Sequence, residues 1–270
     1  MAQIPCIKIL KFTFWYALVL FLAGCATSPT GQTQLKLFPD SEMTKMGITA
    51  YEEVKKNTPV SRDKKTNDFV ACVAKSITRE VPLKTSWELT VFDDKAVNAF
   101  ALPGGKIGVY TGILKIIQNQ DQLAAVLGHE IAHVVADHGN ARVSAAYATQ
   151  TGLQLVQMMS GVASPEKSQL FGLLGLGAQV GILLPYGRGQ ESEADFLGLQ
   201  YMSRAGFDPR ESINLWINMS KASNGKQPPE FLSTHPANQT RINDLKKAMP
   251  GAMKLYKQAI SHGKQPQCGM

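Results

Sequence analysis

Between residues 64 and 79 the apolar side chains Phe69, Val70, Val73, Ala74 and Ile77 recur at intervals of three and four, the spacing of one buried face of an α-helix. Ser41 to Lys56 reads as another helix ahead of it. The period then shortens to two. Trp87-Glu88-Leu89-Thr90-Val91-Phe92 alternates as a strand does, and Asp93-Asp94 marks a turn. Val97 to Leu102 and Ile107 to Thr111 predict two more short strands, joined by the turn residues Pro103-Gly104-Gly105. Helical spacing returns from Gln120 to His138, with Asp121 near the start and Gly139 just past the end. Further helices are predicted over Ala141–Ser160, Arg188–Arg204 (ending near Gly206), Pro209–Ser220 and Arg241–Met249, with loops over Val162–Lys167 and Asn224–Glu230. No segment repeats. The pattern predicts an α+β domain, mainly helical, with a small sheet in front of the helical remainder.

The N-terminus follows another rule. Lys8 and Lys11 precede an apolar run from Phe12 to Ala23, 12 residues broken only by Thr13. A bilayer crossing needs roughly 20 residues, so the run reads as the apolar part of a secretory leader. It ends in Leu22-Ala23-Gly24-Cys25, which resembles the cleavage box of bacterial lipoproteins. Residues 1–24 are then a signal peptide and Cys25 the lipidated first residue of the mature chain. An uncleaved anchor, or an ordinary signal cut nearby, is the alternative. Ala26 rather than Asp follows the cysteine, as in lipoproteins sent to the inner leaflet of the outer membrane. The expected location is therefore the periplasm, anchored to membrane by the N-terminal lipid. Residues 25–40, with Pro29 and Gly31, read as a flexible tether. Residues 41–255 read as the folded domain and 256–270 as a C-terminal tail.

Composition adds limits. The chain has 270 residues, 44 % hydrophobic and 18 % charged, enough for one core of ordinary size. That mix excludes collagen, disorder throughout, a disulfide-dense mini-protein and a multi-span membrane protein. The net charge of +7 is spread out, with no Lys/Arg block interleaved with aromatics, so no nucleic-acid partner is expected. Of four cysteines, Cys6 lies in the leader and Cys25 at the lipid site. The remaining two, Cys72 and Cys268, are expected to form one disulfide in an oxidising compartment. Leu170 to Leu184 is apolar and carries Gly172, Gly175, Gly177 and Gly181. It reads as a buried helix, with contact to membrane or substrate the alternative.

The chemistry concentrates in His129-Glu130-Ile131-Ala132-His133. Helix positions four apart differ by about 40°, so both imidazoles project from one face, one turn apart, as two ligands of one zinc ion do. Glu130 is placed to reach a water at the metal rather than the metal itself. Histidine is scarce, five in 270, which makes the spacing informative. Ala136 and Gly139 stand where a metzincin needs Gly and His, which excludes that class. His138 points about 180° from His129 on the same helix and reads as facing solvent or satisfied in the core. The third ligand is sought in Glu191-Ser192-Glu193-Ala194-Asp195. Glu191 and Asp195 share a face, so Glu191 suits the metal and Asp195 the outer N–H of a ligating histidine. Glu193 points away and is the weaker choice.

These residues, with Ser233-Thr234-His235-Pro236 and the following Arg241, resemble the metallopeptidase family that includes HtpX, the CAAX prenyl endopeptidases, the Oma-type protease and the envelope proteases LoiP and BepA. Val97 to Gly105 and Val109-Tyr110-Thr111-Gly112 resemble the strand pair that precedes that family's zinc helix. The resemblance covers about Lys64 to Met249. It implies a zincin-like α+β domain with its small sheet beside the His129–His133 helix and one Zn2+ per chain. It also implies catalytic roles for Glu130 and His235, with His235 either stabilising the oxyanion or closing the metal as a switch, and a supporting role for Arg241. A histidine in a loop after Pro228-Pro229 is also free to approach or leave a site. Asn98, Ala99, Phe100 and Ala101 would form the edge strand along which a substrate backbone pairs.

The function expected from this is a zinc endopeptidase of the cell envelope acting on misfolded or unassembled proteins, with envelope assembly machinery as a partner class. Two rivals stand beside it. One is a chaperone-like assembly factor with a latent, gated zinc site. The other is a structural zinc protein, disfavoured because such sites are usually closed by four ligands, often cysteines.

Overall fold

The computed structural model of the chain describes residues 25–160, 187–222, 230–235 and 239–269. The leader 1–24 and the segment Leu170–Leu184 lie outside the described residues. Among those described, no helix is long and apolar enough to cross a membrane.

A short hairpin comes first, β1 (Cys25–Thr27) against β2 (Thr33–Leu35), followed by helices α1 (Asp40–Asn57) and α2 (Lys64–Thr78). Asp63 accepts a hydrogen bond from the Lys65 amide and caps α2. The predicted stripe of α2 is buried throughout: Phe69, Val70, Val73, Ala74 and Ile77. A large apolar side chain withdrawn from water contributes roughly 2 kcal/mol, so this face fastens α2 to the rest of the molecule. Strands β3 (Glu88–Phe92), β4 (Ala99–Leu102) and β5 (Lys106–Tyr110) form one sheet in the order β3-β5-β4, with β3 parallel and β4 antiparallel to β5. The β4–β5 turn runs through Gly104 and Gly105 at φ +85° and +73°, which a side chain would strain.

The remainder is helical: α3 (Thr111–Leu114), α4 (Gln120–Val135), α5 (His138–Ser160), α6 (Arg188–Arg204), α7 (Glu211–Ala222), α8 (Glu230–Thr234) and α9 (Gln239–Ser261). Helix α4 is capped by Asn119, whose side chain accepts from the Gln122 amide, and is buried on all sides. It lies between β4, α2, α6 and α7 at the centre of the main core. Mainly helical with one small sheet beside its central helix, the molecule is the expected α+β fold.

Three boundaries differ from expectation. Residues 25–38 are a bonded strap rather than a free tether: the hairpin pairs with itself, and the Asn140 side chain donates to the Phe38 carbonyl. Helix α9 does not stop at Met249. It continues through Pro250 to Ser261, because Ala252 and Ala259 are buried beyond the proline. The tail is part of the fold as well. The Gln120 side chain donates to the Pro266 carbonyl and accepts from the Cys268 amide. Cys268 is joined to Cys72 on α2, with Cα atoms 5.7 Å apart across a separation of 196 residues.

Closing so long a loop restricts the unfolded chain by up to about 5 kcal/mol in the chain-entropy picture. Cys268→Ser is accordingly expected to lower the unfolding temperature, and wild-type protein under reducing conditions to unfold at the same lowered temperature. Non-reducing peptide mapping that recovers both cysteines as free thiols would contradict the pairing.

Candidate metal centre

Helix α4 presents His129 and His133 one turn apart, and their Nε2 atoms lie 3.1 Å from each other. Helix α6 crosses α4 where Gly128 meets Gly198, and this carries Glu191 and Asp195 to the same place. Glu191 Oε1 is 3.5 Å from His133 Nε2, and Oε2 is 3.6 Å from His129 Nε2. The two residues read as ligand and support take different positions. Glu191 faces the nitrogens that converge. Asp195 Oδ1 sits 3.0 Å from the outer nitrogen of His129, Nδ1.

Arg241, at the start of α9, holds both carboxylates. Its Nε and Nη2 donate to Asp195 at 2.7 Å each, its Nη1 lies 2.6 Å from Glu191 Oε2, and its guanidinium stacks 4.0 Å over the Trp216 ring. Burial alone would raise the Asp195 carboxyl. The charge and hydrogen bonds of Arg241 outweigh it and hold the group at about 2. Asp195 is thus an acceptor at every working pH, and it fixes the proton of His129 on Nδ1. That contact orients His129 Nε2 toward His133 and His235.

These groups fit a bound cation. Ring nitrogens of His129, His133 and His235 and an oxygen of Glu191 lie within 4.8 Å of one another, all buried. Glu130 Oε1 is buried without a hydrogen-bond partner. Three carboxylates (Glu130, Glu191 and Asp195) face a single guanidinium in a dry interior. A divalent ion balances that charge, and nitrogen with carboxylate oxygen is a donor set that suits zinc.

His235, following α8, joins this group directly. Its Nδ1 is 3.1 Å from His129 Nε2 and 3.0 Å from Glu191 Oε1, and its Nε2 is 3.3 Å from Glu130 Oε1. The ring stacks on Phe231 at 4.6 Å. Strand β4 lies alongside at the sheet edge among the described residues. The Asn98 carbonyl accepts from the Tyr110 amide, which turns the peptide groups of Ala99 and Ala101 outward. The amides of these groups, and the carbonyl of the preceding Val97, already have partners. The Ala99 amide donates to the Asn98 side chain, the Ala101 amide donates to Glu130, and the Val97 carbonyl accepts from the Phe231 amide of α8.

His138 departs from the helix-angle argument. Helix α4 ends at Val135, Asp137 adopts φ 55°, and His138 opens a new helix that turns back on the centre. Its Nδ1 lies 2.9 Å from His133 Nδ1, fully buried, so it belongs to the surroundings of a ligand although it faces no metal position itself. Glu193 points away from the donor set as expected, but it meets His138 Nε2 at 3.2 Å. The Asp-His-Gly succession after the motif was the only trace of this reversal in the sequence.

A helix-borne histidine pair met by a carboxylate from a later helix, within this α+β fold, defines the class as a zincin-like metallopeptidase domain. Comparison with known families is more specific: residues 61–249 match the model of Peptidase family M48, and the chain belongs to that family. Members of the family use zinc. The mitochondrial metalloendopeptidase OMA1 of Schizosaccharomyces pombe is 39 % identical over 168 residues, 62 % of this chain and 48 % of the relative. The Saccharomyces cerevisiae protein of the same name is 38 % identical over 180 residues, 64 % of this chain and 50 % of the relative. The beta-barrel assembly-enhancing protease of Yersinia pestis is 28 % identical over 214 residues, 77 % of this chain and 43 % of the relative. The chain spans about half the length of the curated relatives it matches.

Lysine in place of Arg241 keeps a charge but loses the fork that grips Asp195 and the plane that stacks on Trp216. Arg241→Lys is expected to destabilise the fold by about 3 kcal/mol and to weaken zinc binding by about 10- to 100-fold. Thermal unfolding and chelator competition measure the two effects, and wild-type values for both would contradict the role given to Arg241.

Proposed function

We propose that this chain is a zinc-dependent endopeptidase of the bacterial cell envelope whose centre rests in a closed form. The observation that carries the reading is the meeting of His129, His133 and Glu191 beside the buried, hydrogen-bond-deficient Oε1 of Glu130. His129, His133 and Glu191 would hold the ion. Zinc bound there supplies a Lewis acid that makes a water acidic near pH 7 and polarises a peptide carbonyl. Glu130 accepts the proton of the attacking water and returns it to the leaving amine. A substrate backbone lies along the outer edge of Asn98–Ala101 once the partners now on that edge withdraw.

The gated reading draws on one further observation. The segment from Phe231 to His235 meets both functional surfaces, with Phe231 bonded to the edge at Val97 and His235 Nδ1 among the donors. While His235 stays there, four protein donors surround the centre, and its Nε2 stands 3.3 Å from Glu130 Oε1. When the segment leaves, the same imidazole is free to hydrogen-bond a developing oxyanion.

For location we propose the periplasm, with Cys25 lipidated and the chain held at the inner leaflet of the outer membrane. The basic start, the 12-residue apolar run and Leu22-Ala23-Gly24-Cys25 support this, and the Cys72–Cys268 pairing suits an oxidising compartment. Misfolded or unassembled envelope proteins are the proposed substrates, and the envelope assembly machinery the proposed partner, in keeping with the name of the Yersinia relative.

Glu130→Gln is expected to bind one zinc per chain and to lose peptidase activity by about a hundredfold to ten-thousandfold. A biological effect that survives this change would favour the chaperone reading instead. Glu191→Ala should lose zinc outright. His235→Ala should raise cleavage of an unfolded protein substrate or of the chain itself where blocking is its main role, and lower turnover by about a hundredfold or more where oxyanion support is. Unchanged activity, zinc affinity and self-cleavage in that variant would remove His235 from the site. N-terminal mass spectrometry of the mature protein should find acylated Cys25, and a free amine on another residue would contradict the lipoprotein reading.

A further inference from the structure

On the side of the centre away from Arg241, an unbroken line of hydrogen bonds runs outward. His133 turns Nδ1, the nitrogen that does not face the other donors, to His138 Nδ1 at 2.9 Å. His138 Nε2 lies 3.2 Å from Glu193 Oε2. Glu193 Oε1 accepts from the Thr30 amide at 3.0 Å and from the Thr30 hydroxyl at 2.7 Å, and the Ser28 hydroxyl bonds the same carboxylate. His133, His138 and Glu193 are buried, whereas Thr30, in the turn of the β1–β2 hairpin, is exposed.

The outer end of this line sets the direction of every proton in it. Glu193, surrounded by donors, is an acceptor, so His138 Nε2 carries a hydrogen and donates it. With its one hydrogen on Nε2, the His138 ring has its lone pair on Nδ1. His133 Nδ1 must donate to that lone pair, which leaves His133 Nε2 unprotonated and facing His129 and Glu191. Only this tautomer can ligate a cation from Nε2.

We infer that Thr30, Glu193 and His138 are positioning residues that hold His133 in its ligating tautomer, so that the N-terminal hairpin is a working part of the metal centre. The inference rests on the reading that His129, His133 and Glu191 hold zinc. A second set of contacts ties the hairpin to the same device. The Gln34 side chain donates to the Ala136 carbonyl at 2.9 Å, and Lys36 Nζ pairs with Asp137 Oδ2 at 2.7 Å. Both grip the reversal that delivers His138 to His133.

The test is zinc affinity of the full chain by chelator competition, read with the visible spectrum of the cobalt(II)-loaded protein and thermal unfolding of the apoprotein. Glu193→Ala is expected to weaken zinc by about 10- to 100-fold and to change the cobalt spectrum. Glu193→Gln, whose amide oxygen can still accept from His138, should recover most of the affinity. Thr30→Val removes an exposed hydroxyl and nothing from the core, and should weaken zinc by about threefold or more with the apoprotein melt unchanged. It decides the matter should Glu193→Ala fail to fold. Reciprocally, zinc should slow hydrogen exchange at the Thr30 amide of the wild type. Wild-type affinity and spectrum in folded Glu193→Ala and Thr30→Val would overturn the inference and leave the zinc reading standing. A wild-type chain that binds no zinc, or whose zinc survives His129→Ala, would overturn both.

Discussion

At Gly128 and Gly198 the backbones of α4 and α6 touch. A Cβ on Gly198 would stand 2.7 Å from the Gly128 carbonyl carbon and 2.7 Å from the His129 amide nitrogen, and one on Gly128 would stand 2.9 Å from the Gly198 carbonyl oxygen. Packed helices ordinarily keep their axes 8–10 Å apart because side chains separate them. With none at this crossing, Asp195 and Glu191, one and two turns before Gly198, can reach the histidines with their short side chains. The cluster is also buried, which is what makes the charges expensive and their pairing decisive. Arg241 answers this by bonding two carboxylates at once, and Trp216 covers the guanidinium's face.

What could be read from the sequence follows the range over which each feature is decided. The stripe of α2 and the period of the strands are local, and both match the folded elements. So is the histidine pair, whose separation on the helix is fixed by helix geometry alone. The reach of Glu191 and Asp195 depended on a crossing, but their four-residue spacing showed which face they share. Other features needed distant partners. A Thr-Ser-Pro-Thr-Gly stretch has the composition of a loose linker, and it is Glu193, 163 positions from Thr30, that gives its turn something to hold. Pro250 reads as a stop, yet α9 keeps its course because Ala252 and Ala259 are buried further along. His138 is satisfied in the core, as one of the two sequence readings has it, but its direction differs because the angle argument assumes an unbroken helix, and one left-handed residue, Asp137, breaks it.

The region around His235 shows a constraint of another kind. The Phe231 amide satisfies the Val97 carbonyl, and the Ala101 amide is bonded to Glu130. Strand edges seek partners, and here the molecule supplies its own. A peptide pairing with β4 must therefore exchange its hydrogen bonds for existing ones, gaining only the difference. Because Phe231 stacks on His235, displacing the one disturbs the other. The edge at Val97 and the donor cluster at His235 are thus joined through a single five-residue helix and the histidine that follows it.

The two histidines of α4 are supported unequally, and this has mechanical meaning. His129 leans on Asp195, which is held by a guanidinium fork sealed under Trp216, a short path that stays inside the core. His133 leans on His138 and Glu193, a longer path that ends at an exposed threonine in a two-stranded hairpin. Isolated two-stranded hairpins are marginal in water, so this one persists by its contacts to Glu193, Ala136 and Asp137. The support runs both ways: the hairpin steadies the residues behind His133, and the buried carboxylate steadies the hairpin. Cys25 is the first residue of that hairpin, so the N-terminal hairpin is tied to the His133 side of the centre, while the His129 side is anchored by the core.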